Sequence, residues 1–173
     1  MLTKKSVRNI ELGGNTVLLR VDFNVPFKTN TTEISDDSRI RASLPTIRYL
    51  LELNCRIVVC SHLGRPNGSV VENLRMAPIG TRLSELLNSR VRTVRDCIGP
   101  EVETAVASLA PKEILLLENL RFHCGEENND PQFSKSLAKL AQTFVTDAFG
   151  VSHRAHASTV GIMRHIPGVA GLL

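Results

Sequence analysis

The chain has 173 residues, 42% of them apolar, which suits one domain over 1–173 with a core of Leu, Ile, Val and Ala, since there are six Phe, one Tyr and no Trp. Its formal net charge is +4, with 15 arginines against 6 lysines, yet no basic run is interleaved with aromatics, so nucleic acid is not the expected partner. No apolar run approaches the ~20 residues that span a membrane and no signal core follows the amino terminus, so the expected location is cytoplasmic, with no membrane partner.

Apolar runs of strand length alternate with helical patterns. Thr16–Val21 is the first run and Arg56–Cys60 the second. Val91–Val94, Glu113–Leu117 and Thr143–Thr146 follow. Most lack polar alternation, as in strands covered on both faces. Between the first two, Ile40, Leu44, Ile47 and Leu51 give one apolar helix face, and Pro45 predicts a kink or break in it. Ile79, Leu83, Leu86 and Leu87 mark a second helix behind Pro78. Val102, Val106 and Leu109 mark a third, with Gly99 as cap and Pro100 at its first position. Phe133, Leu137 and Leu140 mark a fourth, capped by Asp130 ahead of Pro131. The polar stretch 27–37 reads as an exposed loop. The apolar tail 166–173 either closes the sheet or leads into more protein. Strand–helix alternation implies right-handed crossovers and a parallel sheet, hence an α/β fold of three layers.

Cys55, Cys60, Cys97 and Cys124 have the spacing of neither a zinc site nor a redox pair, and Cys60 falls inside a predicted strand. There is no phosphate-binding loop with Lys and Ser or Thr, no dinucleotide fingerprint and no zinc-binding His pair. Asp147-Ala148-Phe149-Gly150 is similar to the metal-binding Asp-Phe-Gly of protein kinases, but the inserted Ala and the lack of a companion motif argue against a metal there.

In open parallel sheets ligands bind beyond the carboxyl ends of the strands. Asp22, Phe23 and Asn24 follow the first run. His62, Leu63, Gly64 and Arg65 follow the second, and Arg121 follows the fourth. His153, Arg154 and His156 come after the fifth, and Arg39 opens the first predicted helix. Each has a bland reading: Asp22 capping a loop, Arg65 in an exposed turn, Arg121 paired with Glu118 or Asp147. Arginines converging on one rim favour an anionic ligand, because each charge-assisted hydrogen bond contributes roughly 1.5–3 kcal/mol.

Leu-Leu-Arg-Val-Asp-Phe-Asn-Val-Pro at 18–26 resembles a signature of the phosphoglycerate kinase family. Ser-Asp-Asp-Ser-Arg-Ile-Arg-Ala-Ser-Leu-Pro-Thr-Ile at 35–47, Ser-His-Leu-Gly-Arg-Pro at 61–66 and Leu-Leu-Glu-Asn-Leu-Arg-Phe-His at 116–123 follow in family order. Asp-Ala-Phe-Gly-Val-Ser-His-Arg-Ala-His-Ala-Ser at 147–158 completes the set. The resemblance implies the substrate-binding, amino-terminal half of such a kinase: a Rossmann-like α/β/α sandwich on a six-stranded parallel sheet, monomeric, acting on 3-phosphoglycerate and 1,3-bisphosphoglycerate. It implies that Asp22 and Asn24 hold the glycerate hydroxyl and carboxyl end. His62, Arg65, Arg121 and Arg154 would grip the 3-phosphate, and Arg39 would steady the carboxylate and the transferring phosphoryl group. Phe23, Leu63 and Gly64 complete the substrate-binding stretches. Mg-ATP or Mg-ADP would be held by a carboxyl-terminal domain lacking here, so this half is expected to be inactive alone, with no cofactor or metal of its own. The alternative is a stand-alone binding module for phosphate or glycerate phosphates, without catalysis.

Overall fold

The computed structural model describes residues 5–148 and 155–173. Six strands form one sheet: β1 (Thr16–Val21), β2 (Arg56–Cys60), β3 (Val91–Thr93), β4 (Ile114–Leu116), β5 (Thr143–Asp147) and β6 (Gly168–Ala170). Their order is β3-β4-β2-β1-β5-β6, and every pairing is parallel. The five predicted runs are strands β1 to β5, shifted by at most a residue at their ends. The tail closes the sheet: Phe144, Val145 and Thr146 register with Gly168, Val169 and Ala170.

The helices are α1 (Ser38–Glu52), α2 (Ala77–Leu87), α3 (Pro100–Ala107), the single turn α4 (Cys124–Glu127) and α5 (Pro131–Ala138). Strand side chains alternate between two cores. Val17, Leu19, Ile57, Val59, Leu116 and Val145 meet α1 and α2 through Ile40, Ile47, Ile79 and Leu83. Leu18, Val58, Leu115 and Phe144 meet α3 and α5 through Val102, Phe133 and Leu137. This is the three-layer sandwich, with the central strands covered on both faces.

The caps fall where expected. Gly99 precedes α3 at φ 100°, and the Asp130 side chain accepts from Phe133 N at 2.7 Å. Of the kink or break expected at Pro45, the break is absent: α1 is continuous from Ser38 to Glu52. Pro45 and Arg41 are both exposed, so the turn in which proline removes a helical donor lies on the outer face of α1. Meanwhile Ile40, Leu44, Ile47 and Leu50 hold the helix to the sheet, with Leu51 only partly buried.

The tail is also pinned. Gly171 N donates to Thr146 O at 2.8 Å, Leu172 N to Thr46 Oγ1 at 2.9 Å, and Leu173 N to Asp147 Oδ1 at 3.0 Å. A Cβ on Gly171 would lie 2.0 Å from Asp147 Oδ1, so this close approach requires glycine. Burial pushes the Asp147 carboxyl above its ordinary value of 3.8, opposed by hydrogen bonds from Thr46, Leu173 and Leu172.

Candidate functional site

The carboxyl ends of β1, β2 and β4 meet on one rim and lace together. After β1, Asp22 Oδ1 accepts from Asn24 N at 3.2 Å, turning the chain out of the sheet. Arg39, in the first turn of α1, forms an ion pair with Asp22 Oδ2. Half of the Arg39 side chain remains exposed, whereas Asp22 is largely covered. The pair thus presents a guanidinium at the rim with its carboxylate counterion behind it.

The loop after β2 is clasped from both sides. Phe23 N donates to Ser61 Oγ at 2.9 Å, and Gly64 N to Asn24 Oδ1 at 2.8 Å. From the β4 side, the Asn119 carboxamide accepts from Leu63 N at 3.1 Å and donates to Leu63 O at 2.7 Å. Arg121 Nη1 donates to Gly64 O at 2.9 Å. Gly64 sits at φ 61°, in the left-handed region. Held this way, the loop leaves His62 and Leu63 buried, Gly64 half-buried and Arg65 exposed.

Arg121 is buried, in a one-turn 3₁₀ segment, Leu120–Phe122. Its backbone N donates to Asn119 Oδ1 at 3.1 Å, and its Nε lies 3.3 Å from Glu127 Oε1. Its carboxylate neighbour is therefore Glu127 rather than the Glu118 or Asp147 its sequence position suggested. Glu118, 4% exposed, instead accepts from Met76 N at 2.9 Å and from Arg75 at 3.0 Å, tying segment 72–76 to the end of β4.

The structure thus brings Asp22, Phe23, Asn24, Arg39, His62, Leu63, Gly64, Arg65 and Arg121 to one rim. Arg154 lies outside the described residues, as do Phe149, Gly150 and His153. His156 is described, with Nδ1 3.8 Å from Glu126 Oε1. Sequence reasoning passed over three members of this assembly. Arg20 is 1% exposed, and its Nη2 lies 3.2 Å from His62 Nδ1. Asn119 and Ser61, both fully buried, stand in the sequence analysis only inside the motifs at 116–123 and 61–66. A polar side chain directly after an apolar run was the signal available for the last two, because a buried amide or hydroxyl must bond something.

Guanidinium groups and backbone N–H groups suit phosphate and carboxylate. They do not suit a divalent cation, and the carboxylates beside them are already faced by arginines, Asp22 by Arg39 and Glu127 by Arg121. One group among the described residues has metal-ligand proximity: donor atoms of Asp96, Cys97 and His123 lie within 4.8 Å of one another. His123 Nε2 already bonds Asp96 Oδ1 at 2.7 Å, and burial pushes the Cys97 thiol well up, so the trio reads as a hydrogen-bonded pair over a core thiol. Burial raises Cys55 too and takes Cys60 to about 12, leaving Cys124 as the exposed thiol. No helix among the described residues is long and apolar enough to cross a membrane.

Comparison with known proteins gives the family. The chain is 52% identical over 172 residues to a phosphoglycerate kinase of Moorella thermoacetica, a match covering 99% of this chain and 43% of that protein. Its fold superposes on phosphoglycerate kinases from Pyrococcus horikoshii OT3 (TM-score 0.87, 34% identity, 97% of this chain and 42% of the other) and Coxiella burnetii (TM-score 0.84, 35% identity, 96% and 41%). The chain spans less than half the length of these relatives. The phosphoglycerate kinase family model matches residues 7–173, and on that span, with the six-stranded parallel sheet and its arginine-bearing rim, the chain belongs to the phosphoglycerate kinase family.

Proposed function

We propose that this chain is the glycerate-phosphate-holding part of a phosphoglycerate kinase, and that phosphoryl transfer requires a nucleotide-holding part beyond it. The observation that carries the reading is the convergence of Asp22–Arg39, the loop His62–Arg65 and Arg121 on one rim. In the reaction, a β-phosphate oxygen of ADP attacks the acyl phosphorus of 1,3-bisphosphoglycerate. The bond to the carboxyl oxygen breaks, and 3-phosphoglycerate leaves with that electron pair. The Mg-nucleotide is the other substrate, and none of the rim residues is assigned to it.

Each residue here has a role its chemistry allows. Arg65 and Arg121, with His62, hold the 3-phosphate, and Arg154 is assigned to the same end on the motif alone. Asp22 and Asn24 orient the glycerate hydroxyl and carboxyl end. Arg39 contacts the carboxylate and neutralises charge on the phosphoryl oxygens as they move. Phosphoryl transfer depends mostly on such positioning and charge stabilisation.

Calorimetric titration of the chain with 3-phosphoglycerate, with inorganic phosphate as control, tests the reading. Saturable binding, stronger for 3-phosphoglycerate and abolished in Arg65→Ala, is expected. A folded chain that binds neither ligand would refute a site complete in this part. Equal affinity for both would favour the alternative of a general phosphate-binding module.

A further inference from the structure

The interior behind the rim holds a charge network that reaches the rim assignments only at His62. Arg20 lies on β1 on the same side as Leu18, the side facing α3 and α5. Its guanidinium is 1% exposed and bonded at all three nitrogens: Nε to Ser158 Oγ at 2.9 Å, Nη1 to Val21 O, and Nη2 to His62 Nδ1 at 3.2 Å. Ser158 is fully buried and its hydroxyl donates to Glu126 Oε1 at 2.6 Å, while Ser158 N donates to Glu126 Oε2 at 3.0 Å. Glu126, on α4, is also fully buried. Four elements far apart in sequence thus meet in one chain of hydrogen bonds: Glu126, Ser158, Arg20, His62.

The donor directions along this chain are fixed by chemistry. A guanidinium has N–H donors and no acceptor. His62 Nδ1 must therefore accept with its lone pair, and the ring proton sits on Nε2. Ser158 Oγ accepts from Arg20, so its hydrogen points to Glu126. A buried arginine with a carboxylate one hydroxyl away keeps its orientation, because turning away would strand both charges in the core.

We propose that Glu126 and Ser158 are positioning residues: through Arg20 they fix His62 as the Nε2–H tautomer, which makes the ring a neutral N–H donor. That this donor serves a phosphate-bearing ligand rests on the function proposed above; the tautomer assignment does not. Removing the Ser158 hydroxyl leaves Glu126 Oε1 without its donor and draws the guanidinium towards it, withdrawing Nη2 from His62. Neutralising Glu126 leaves Arg20 without its counter-charge and loosens it in the same way.

The test is ring nitrogen spectroscopy of the chain labelled with ¹⁵N-histidine, with His62 assigned from its absence in His62→Gln. The wild type should show one protonated nitrogen at His62, Nε2. Ser158→Ala and Glu126→Gln should shift the ring to a mixture of tautomers and weaken 3-phosphoglycerate binding by roughly tenfold. An Nδ1–H ring in the wild type overturns the proposal, and so does a pure Nε2–H ring in folded Ser158→Ala or folded Glu126→Gln. Should Glu126→Gln not fold, Ser158→Ala, which deletes one oxygen, decides. A pure Nε2–H ring in a wild type that binds no 3-phosphoglycerate, lost in the variants, supports the tautomer assignment and refutes the substrate reading alone.

Discussion

Replacing Asn119 by Ala should do more harm than any other polar substitution at the rim. The side chain is fully buried and makes four hydrogen bonds. Its Oδ1 accepts from Leu63 N and Arg121 N, both at 3.1 Å; its Nδ2 donates to Leu63 O at 2.7 Å and Leu74 O at 3.0 Å. Alanine strands all four partners. At about 1 kcal/mol each the loss is about 4 kcal/mol, a large share of the 5–15 kcal/mol typical of a whole domain. Asn119→Asp keeps the shape and the two accepted bonds. It sets a carboxylate oxygen against the carbonyls of Leu63 and Leu74, so at neutral pH it should cost at least as much, and less in acid, where a protonated carboxyl regains one donor. Urea unfolding followed by circular dichroism measures both. Because Asn119 clasps the loop bearing Arg65, 3-phosphoglycerate binding should disappear in whatever fraction stays folded. A cost below about 1 kcal/mol for Asn119→Ala would show that loop 61–65 does not depend on this clasp and would refute the reasoning.

Three further outcomes are expected. Gly171→Ala puts a Cβ where it would lie 2.0 Å from Asp147 Oδ1, and should lower stability by about 2 kcal/mol in thermal unfolding as the tail lifts off β5. Asp147 carries a carboxyl raised by burial, so its favourable contribution is complete below its ordinary value of 3.8 and fades as pH rises through the folded value. The stability of Asp147→Asn relative to wild type should accordingly improve between acid and neutral pH in urea titrations; an advantage that shrinks with rising pH would reverse the assignment. In a full-length phosphoglycerate kinase carrying this part, Arg39→Ala should lower kcat far more than it raises KM, and a change confined to KM would remove Arg39 from the transition state.

The layer order was legible because central strands such as Ile57–Cys60 are apolar throughout, and the rim because its residues follow those strands directly. One expectation that failed and one residue passed over have physical causes. Pro45 looks like a helix breaker in one dimension, but it sits on the exposed face of α1 while the opposite face is buried. Arg20 sits inside the apolar run Leu-Leu-Arg-Val, and nothing local says whether it faces water or a carboxylate. Its partner Ser158 lies 138 positions away, a proximity only the folded chain creates. The short strand β6 was legible only as an apolar tail that either closes the sheet or leads onward, since Gly168–Ala170 has too few residues for a period.

The distribution of sulfur gives the molecule a built-in point of attachment. Three of its four cysteines are sealed in the cores with thiols that burial keeps protonated. Cys124 alone stands at the surface, three positions after Arg121 and with Sγ 4.0 Å from Gly68 O in the turn that follows Arg65. A maleimide dye offered to the native protein will therefore react at one place, beside the loop proposed to hold the phosphate. The wild-type sequence thus carries its own labelling position for testing the proposed capture of 3-phosphoglycerate by fluorescence, without a single engineered cysteine.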